Sequence, residues 1–383
     1  MRDVYIVAYG RSAMCRARKG SFARVHPIEY SAQTLTGVLA RCPALRPEDV
    51  EDVIMGCAFP FNETAMNIAR LTVNRAGFPD SVCGQTINRF CSSGLQAIAT
   101  AANAIACGQG DVMIAGGAED MSHTFKPVGP EYHDQWLAEN YPGAYVSMGI
   151  TAENVADIYG VSREEMEAFA ADSHAKAARA QQMGKFPSIV PVTVPDEAGG
   201  TVEITKDEGI RPETSMESLA GLKPCFKENG KLTAGLSSQT TDAAAFVVLV
   251  SGDLVRARGI QPVARLTGFA VAGCDAEIMG VGPIFAVPKA LERAGLGKEE
   301  IDVVELNEAF ASQAIVCIRE LGLAPHRVNP YGGAIALGHP MGATGAVLTC
   351  KVLDYLRDNG GKYGLVTMCI GGGMGAAGVI ELL

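Results

Sequence analysis

The apolar positions of this chain gather into continuous runs with no polar alternation, such as VYIVAY from Val4 to Tyr9, DVMIAGGAED at 111–120 and YGLVTMCIGGGMG at 363–375. Runs of that kind predict strands covered on both faces. The pattern also repeats. EDVEDVIMGCAF at 48–59 and EEIDVVELNEAF at 299–310 align without a gap in charge, apolar spacing and the closing Ala-Phe. Each reads as a short acidic helix start followed by a buried strand. Gly94 opens a helical stretch leading into DVMIAGGAED, and Gly345 opens another leading into YGLVTMCIGGGMG. Two copies of one βα arrangement predict two similar α/β halves packed together, with the active site where they meet. Residues 119–239 differ in character, with lone aromatics, prolines and a charged helix from Ser162 to Gly184. Ser162 and Glu165 are spaced as a capping box and Gly184 stands at a C-terminal cap, so this stretch reads as an insertion that covers something.

Composition narrows the classes. A chain of 383 residues with 48% hydrophobic and 19% charged content is long enough for two or three lobes. No apolar run, Ala243 to Val250 included, approaches the ~20 residues of a membrane span. The opening MRDVYIVAYGRS has no secretory-signal core, and a cytoplasmic protein is expected. Eleven cysteines, irregularly spaced, fit reduced thiols rather than a disulfide framework. A formal charge of -10 without a block of Lys and Arg excludes nucleic acid as the main partner. A small anion, which needs only a few donors, stays open.

Candidate chemistry lies at four places. Cys91 sits where a strand-like stretch gives way to an alanine-rich helix, a setting that lowers a thiol pKa through helix-end N–H groups. A cysteine is also a common small buried hydrophobe, and the local sequence leaves both roles open. His339 lies in the glycine-dense turn NPYGGAIALGHPMGATG and is placed to take a proton from a thiol. Cys369 ends the last buried strand before Gly371, Gly372 and Gly373, which can offer backbone donors to an oxyanion or simply make a tight turn. Asn307 replaces the Gly56 of the other repeat, and an amide present in one copy only points to a site. No CxxC, HExxH, GxxxxGK[ST] or early GxGxxG occurs, so neither a metal nor a nucleotide loop is expected.

NRFCSSGLQ around Cys91, NEAFA at 307–311, GGAIALGHPMGATG at 332–345 and CIGGGMG at 369–375 resemble, in order, the four signature blocks of the thiolase family. MGITAENVADIYGVSRE at 148–164, RPETSMESLAGLKPCF at 211–226 and LTAGLSS at 232–238 extend the resemblance over nearly the whole chain. It implies an α/β thiolase fold: two duplicated βαβαβαββ halves forming a layered α-β-α-β-α core. Residues 1–118, completed by about 240–262, would be one half and 263–383 the other, with 119–239 an inserted, CoA-binding loop domain. By position, Cys91 would be the nucleophile, His339 its base, Cys369 the acid and base at the α-carbon, and Asn307 the holder of an oxyanion-site water. The N–H groups of Cys91 and Gly371 would hold the acyl-enzyme oxygen. The resemblance further places Arg211 near the adenine end of CoA and Ser238 near its pantetheine, with Ser218 among the contacts. Met148, Phe226, Ala234, Met279, Ala309 and Phe310 would line the tunnel.

The activity so implied is that of a degradative 3-ketoacyl-CoA thiolase of fatty-acid β-oxidation. Ser147 stands where acetoacetyl-CoA members often carry histidine. An acetoacetyl-CoA thiolase is the alternative, and a non-catalytic acyl-CoA-binding relative is an alternative of another class. A ketosynthase-type condensing enzyme would usually place a histidine at 307. Acyl-CoA and CoA are the implied partners, CoA being a co-substrate with no tightly bound cofactor. A homodimer or homotetramer is implied, with room for a β-oxidation multienzyme partner. Two departures stand out, SSQTTDAAAF after LTAGL, which leaves the contacts of Gln239 to Asp242 open, and GRSAMC at the end of the first strand, expected to touch packing.

Overall fold

The computed structural model describes residues 1–126, 129–196 and 198–383. The first half runs β1 (Val4–Arg11), α1 (Pro27–Leu39), β2 (Asp52–Gly56), α2 (Ile68–Arg75), β3 (Cys83–Ile87), α3 (Ser93–Ala106) and β4 (Val112–Glu119). An insertion follows with helices α4 (Met148–Ile158) and α5 (Arg163–Gln182). After β5 (Thr241–Ser251) the second half runs β6 (Ala264–Gly273), α6 (Gly282–Ala294), β7 (Val303–Leu306), α7 (Ala311–Leu321), α8 (Met341–Asn359), β8 (Tyr363–Ile370) and β9 (Met374–Leu382).

These strands form one sheet in the order β7-β8-β9-β6-β1-β5-β4-β2-β3. From the β6–β1 junction outward, each side meets the first, fifth, fourth and second strand of its half, so the repeat in sequence is a twofold repeat in space. The third strand breaks the symmetry. β3 spans five residues, whereas its counterpart is a single bridge between Val304 and Val328.

Helices α3 and α8 pack on each other and on strands of both halves. The outer faces carry α1 with α2 on one side and α6 with α7 on the other, giving the layered α-β-α-β-α order. β4 and β5 are buried along their whole length, which is why their sequences show no alternation. The α8 helix begins at Met341, ahead of the Gly345 start expected from sequence. Gly345 is instead a crossing point, since a Cβ there would lie 2.2 Å from Leu95 N.

The insertion is tied to the first strand. Arg11, at the end of β1, is fully buried and pairs with Asp207 at 2.7 Å, while its backbone N–H donates to Ser188 O at 3.0 Å. That is the packing role of the GRSAMC departure. The α5 helix starts with the expected capping box, Ser162 Oγ accepting from Glu165 N at 3.1 Å and the Glu165 carboxylate from Ser162 N at 2.9 Å. Among the described residues no helix is long and apolar enough to cross a membrane.

Candidate active site

Cys91 sits in a short turn, Phe90–Ser92, that feeds α3. Phe90 holds φ +44, a left-handed conformation costing a non-glycine residue about 1 kcal/mol. Local bonds hold the turn there: Asn88 Oδ1 accepts from Phe90 N at 2.8 Å, and Ser93 Oγ from Arg89 N at 2.8 Å. Both α8 and β8 pack against this turn.

His339 stands just before α8, its backbone N–H donating to Gln239 O at 3.0 Å. On the ring, Nε2 lies 3.3 Å from Asn307 Nδ2 and Nδ1 lies 2.6 Å from Thr344 Oγ1. With the amide donating to Nε2, the ring proton sits on Nδ1 and is donated to the threonine hydroxyl. Sequence reasoning missed Thr344. Its signal was a hydroxyl on the first turn of the helix that His339 precedes.

Asn307 follows β7, and its backbone N–H donates to Thr367 O of β8 at 2.9 Å. Its Oδ1 is buried without a partner among the described residues, an acceptor left free at the site. The equivalent position in the other half, Gly56, has no such room, because a Cβ there would come 2.5 Å from Ser93 C and 2.6 Å from Gly342 O. The same pair of helices thus demands glycine in one copy and leaves space for an amide in the other.

Cys369 is fully buried near the end of β8, and the Cys91 sulfur is near enough to add to the rise of its thiol. Gly371 to Gly373 form the turn into β9, with φ +83 and +84 at Gly372 and Gly373. The Gly371 N–H is directed at the Cys91 sulfur. Tight turn and backbone donor, the two alternatives left by the sequence, are therefore one feature.

The electrostatics correct one expectation. Burial pushes the Cys91 thiol up to about 11, outweighing the N–H groups of Gly371 and Cys91 itself, which pull the other way, and the Glu119 carboxylate adds to the rise. A helix-end argument counts only local donors, while the depth of the site comes from the other half of the chain. Burial also drives His339 down to about 4, so its imidazole is neutral at pH 7. Thiol and imidazole are both uncharged at rest. Burial likewise lifts the Cys369 thiol well above its ordinary value.

Residues 4–253 match the family described as thiolase, N-terminal domain, and residues 260–382 match thiolase, C-terminal domain. The chain belongs to the thiolase family. It is 46% identical over 397 residues to a Bacillus subtilis protein named 3-ketoacyl-CoA thiolase, with 100% of both chains covered. A Marinobacter nauticus protein of the same name is 45% identical over 386 residues, covering 99% of this chain and 98% of that one. The crystal structure of the Bacillus anthracis acetyl-CoA acetyltransferase superposes with a TM-score of 0.93 at 38% identity, covering 100% of this chain and 99% of that one.

Of the thiolase tunnel candidates, Met148, Phe226, Met279, Ala309 and Phe310 fall into one apolar cluster with Cys369. The Phe226 and Phe310 rings meet edge to face at 5.8 Å. Ser238 joins them, its backbone N–H donating to Ala309 O at 2.9 Å. Arg211, Ser218 and Ala234 lie outside the cluster, on exposed positions of the insertion. Arg211 donates to Gln239 Oε1 at 3.3 Å, and the Ser218 hydroxyl donates to Ser215 O at 2.8 Å within its own short helix.

The departure after LTAGL has a structural purpose. Gln239 Nε2 donates to Gly209 O at 2.8 Å, Ile335 O at 3.0 Å and Ala336 O at 2.9 Å, pinning the histidine loop to the insertion. Asp242 accepts from Ser122 N at 2.9 Å.

Proposed function

We propose that this chain cleaves 3-ketoacyl-CoA with CoA, giving acetyl-CoA and a shortened acyl-CoA in fatty-acid β-oxidation. One observation carries the assignment: a buried thiol under a backbone N–H, with a second buried thiol and an Asn–His pair in the same duplicated core. The two relatives named 3-ketoacyl-CoA thiolase support it.

At rest the Cys91 thiol is neutral, and His339, also neutral, takes its proton as the sulfur attacks the 3-keto carbon. The C2–C3 bond then breaks, and its electron pair becomes the enolate of the departing thioester. Asn307 Oδ1, free to accept, is suited to orient a water toward that enolate oxygen beside His339. Cys369 gives its proton to C2, releasing acetyl-CoA. The acyl group stays on Cys91, its oxygen held by the N–H groups of Cys91 and Gly371. Each such donor contributes roughly 3 kcal/mol to the transition state. Cys369 recovers a proton from the thiol of incoming CoA, whose sulfur takes the acyl group from Cys91, and His339 returns its proton to the departing Cys91 sulfur. Arg211, Ser218, Ala234 and Ser238 lie along the proposed CoA path on the insertion, and the apolar cluster receives the acyl end. CoA acts as co-substrate, with no tightly bound cofactor in the scheme. The scheme fits a cytoplasmic homodimer or homotetramer.

The relative of known structure named acetyl-CoA acetyltransferase favours a second reading, that of an acetoacetyl-CoA thiolase. Kinetics with a four-carbon and with eight- to sixteen-carbon 3-ketoacyl-CoA plus CoA decide between them. Acetyl-CoA release on the longer chains, abolished in Cys91→Ser, is the expected result. A clear preference for the four-carbon substrate would overturn the β-oxidation assignment.

A further inference from the structure

The segment that carries His339 is gripped near both ends by a buried carboxylate, one from each half of the duplicated fold. Glu308 Oε2 accepts from Ile335 N at 3.2 Å and from Ser173 Oγ of α5 at 2.7 Å, while Oε1 accepts from Asn329 Nδ2 at 2.7 Å. At the other end, Glu119 Oε2 accepts from Gly342 N at 2.7 Å and from Ala58 N at 2.8 Å, and Oε1 accepts from Phe59 N at 3.2 Å. Glu119 is 0% exposed and Glu308 1%. Glycines keep the grip close. A Cβ on Gly333 would lie 2.1 Å from Glu308 Cδ, and one on Gly342 would lie 2.9 Å from Glu119 Oε2.

Burying two carboxylates with no salt bridge to either among the described residues is costly, and apolar residues of similar size would fill the same space at less cost. What apolar residues lack is the ability to fix backbone N–H groups from several segments at one point. Glu308 is the chain neighbour of Asn307, so the carboxylate that holds Ile335 also fixes the strand end that presents the amide. Glu119 joins the first turn of α8 to the loop after β2, next to the turn of Cys91.

We propose that Glu119 and Glu308 are positioning residues that together set where the His339 ring stands relative to Cys91 and Asn307. Neither takes part in bond making. Through Ser173, the same clamp links the histidine loop to the insertion on which CoA is placed. The inference rests on the roles given to Cys91 and His339 above.

The test uses full-length Glu119→Gln and Glu308→Gln, in which an amide NH₂ replaces an acceptor and faces backbone donors. Two readouts are taken: the rate at which iodoacetamide alkylates Cys91 across pH, and steady-state thiolysis. In Glu308→Gln alkylation should slow about tenfold toward the rate of His339→Ala; in Glu119→Gln loss of the charge that raises the Cys91 thiol works toward faster alkylation, so turnover is its readout. In both variants kcat should fall about tenfold or more with KM for acyl-CoA within about threefold, as expected for a small displacement of a proton acceptor. An alkylation rate equal to wild type in Glu308→Gln, even if turnover fell, or an unchanged kcat in Glu119→Gln, would overturn the proposal. Should a Gln variant not fold, Ser173→Ala, which withdraws one donor from Glu308, should slow alkylation in the same direction, and an unchanged rate there would also overturn it. A wild-type chain that shows no thiolysis, yet whose Cys91 alkylation responds to Glu308 and His339, would defeat the assigned activity and leave the clamp standing.

Discussion

Thr344 sets its hydroxyl 2.6 Å from His339 Nδ1, where many catalytic histidines meet a carboxylate. A neutral partner orients the ring, whose tautomer the Asn307 amide sets at Nε2, without holding a positive charge, so the ring keeps the low pKa of about 4 that burial imposes. His339 is therefore suited to receive a proton only while substrate charge develops beside it. Thr344→Val should keep the shape and leave Nδ1 without its hydrogen bond, loosening the ring and lowering kcat roughly tenfold with little change in KM; equal kcat in the two proteins would show that the hydroxyl is irrelevant. Cys91, His339 and Cys369 stand out in the sequence because each lies in a turn or junction of unusual composition, and Asn307 because the other repeat has Gly56 in its place. The charge state of Cys91 does not, because its burial depends on α8 and β8, some 250 residues further along the chain. Thr344 hides for a simpler reason: threonine on a helix has an ordinary use, bonding back to its own turn.

At the scale of elements, the α3–α8 contact decides where the reactive turns end up. Both helices approach through small residues, and their N-terminal ends bear on Gly56 and on each other. Gly345→Ala puts a methyl 2.2 Å from Leu95 N, too close for rotamer change to relieve. The helices must separate, and overpacking of this kind costs about 1–3 kcal/mol. Urea unfolding should show that loss together with reduced turnover, and an unchanged midpoint would mean that the helices can shift freely. The duplication itself was legible from two aligned segments, and so was the place of Asn307 opposite Gly56. The start of α8 was misplaced, since a glycine at a helix crossing and a glycine at a helix start look alike until the partner helix is known. The Gln239 contacts were equally out of reach, because all three carbonyls it meets come from distant segments.

At the scale of the molecule, β3 lies at one end of the sheet with Cys83 and Gln85 exposed, and Met66, beside it, is 86% exposed. Phe61 and Phe90 add apolar surface at 48% and 41% exposure. An uncovered strand flanked by large apolar side chains is a template for pairing with another copy. Multi-angle light scattering should give at least the mass of a dimer, and a stable monomer at micromolar concentration would contradict this. The opposite end of the sheet is the four-residue β7, which on its outer side makes, among the described residues, the single Val304–Val328 bridge. If both rims could zip to a neighbour, copies would add without limit into a fibre. With a longer edge strand at one rim and a shorter one at the other, strand pairing between copies would be isologous and stop at two, so the loss of a few residues of regular pairing in the second repeat would guard the sheet against open-ended addition.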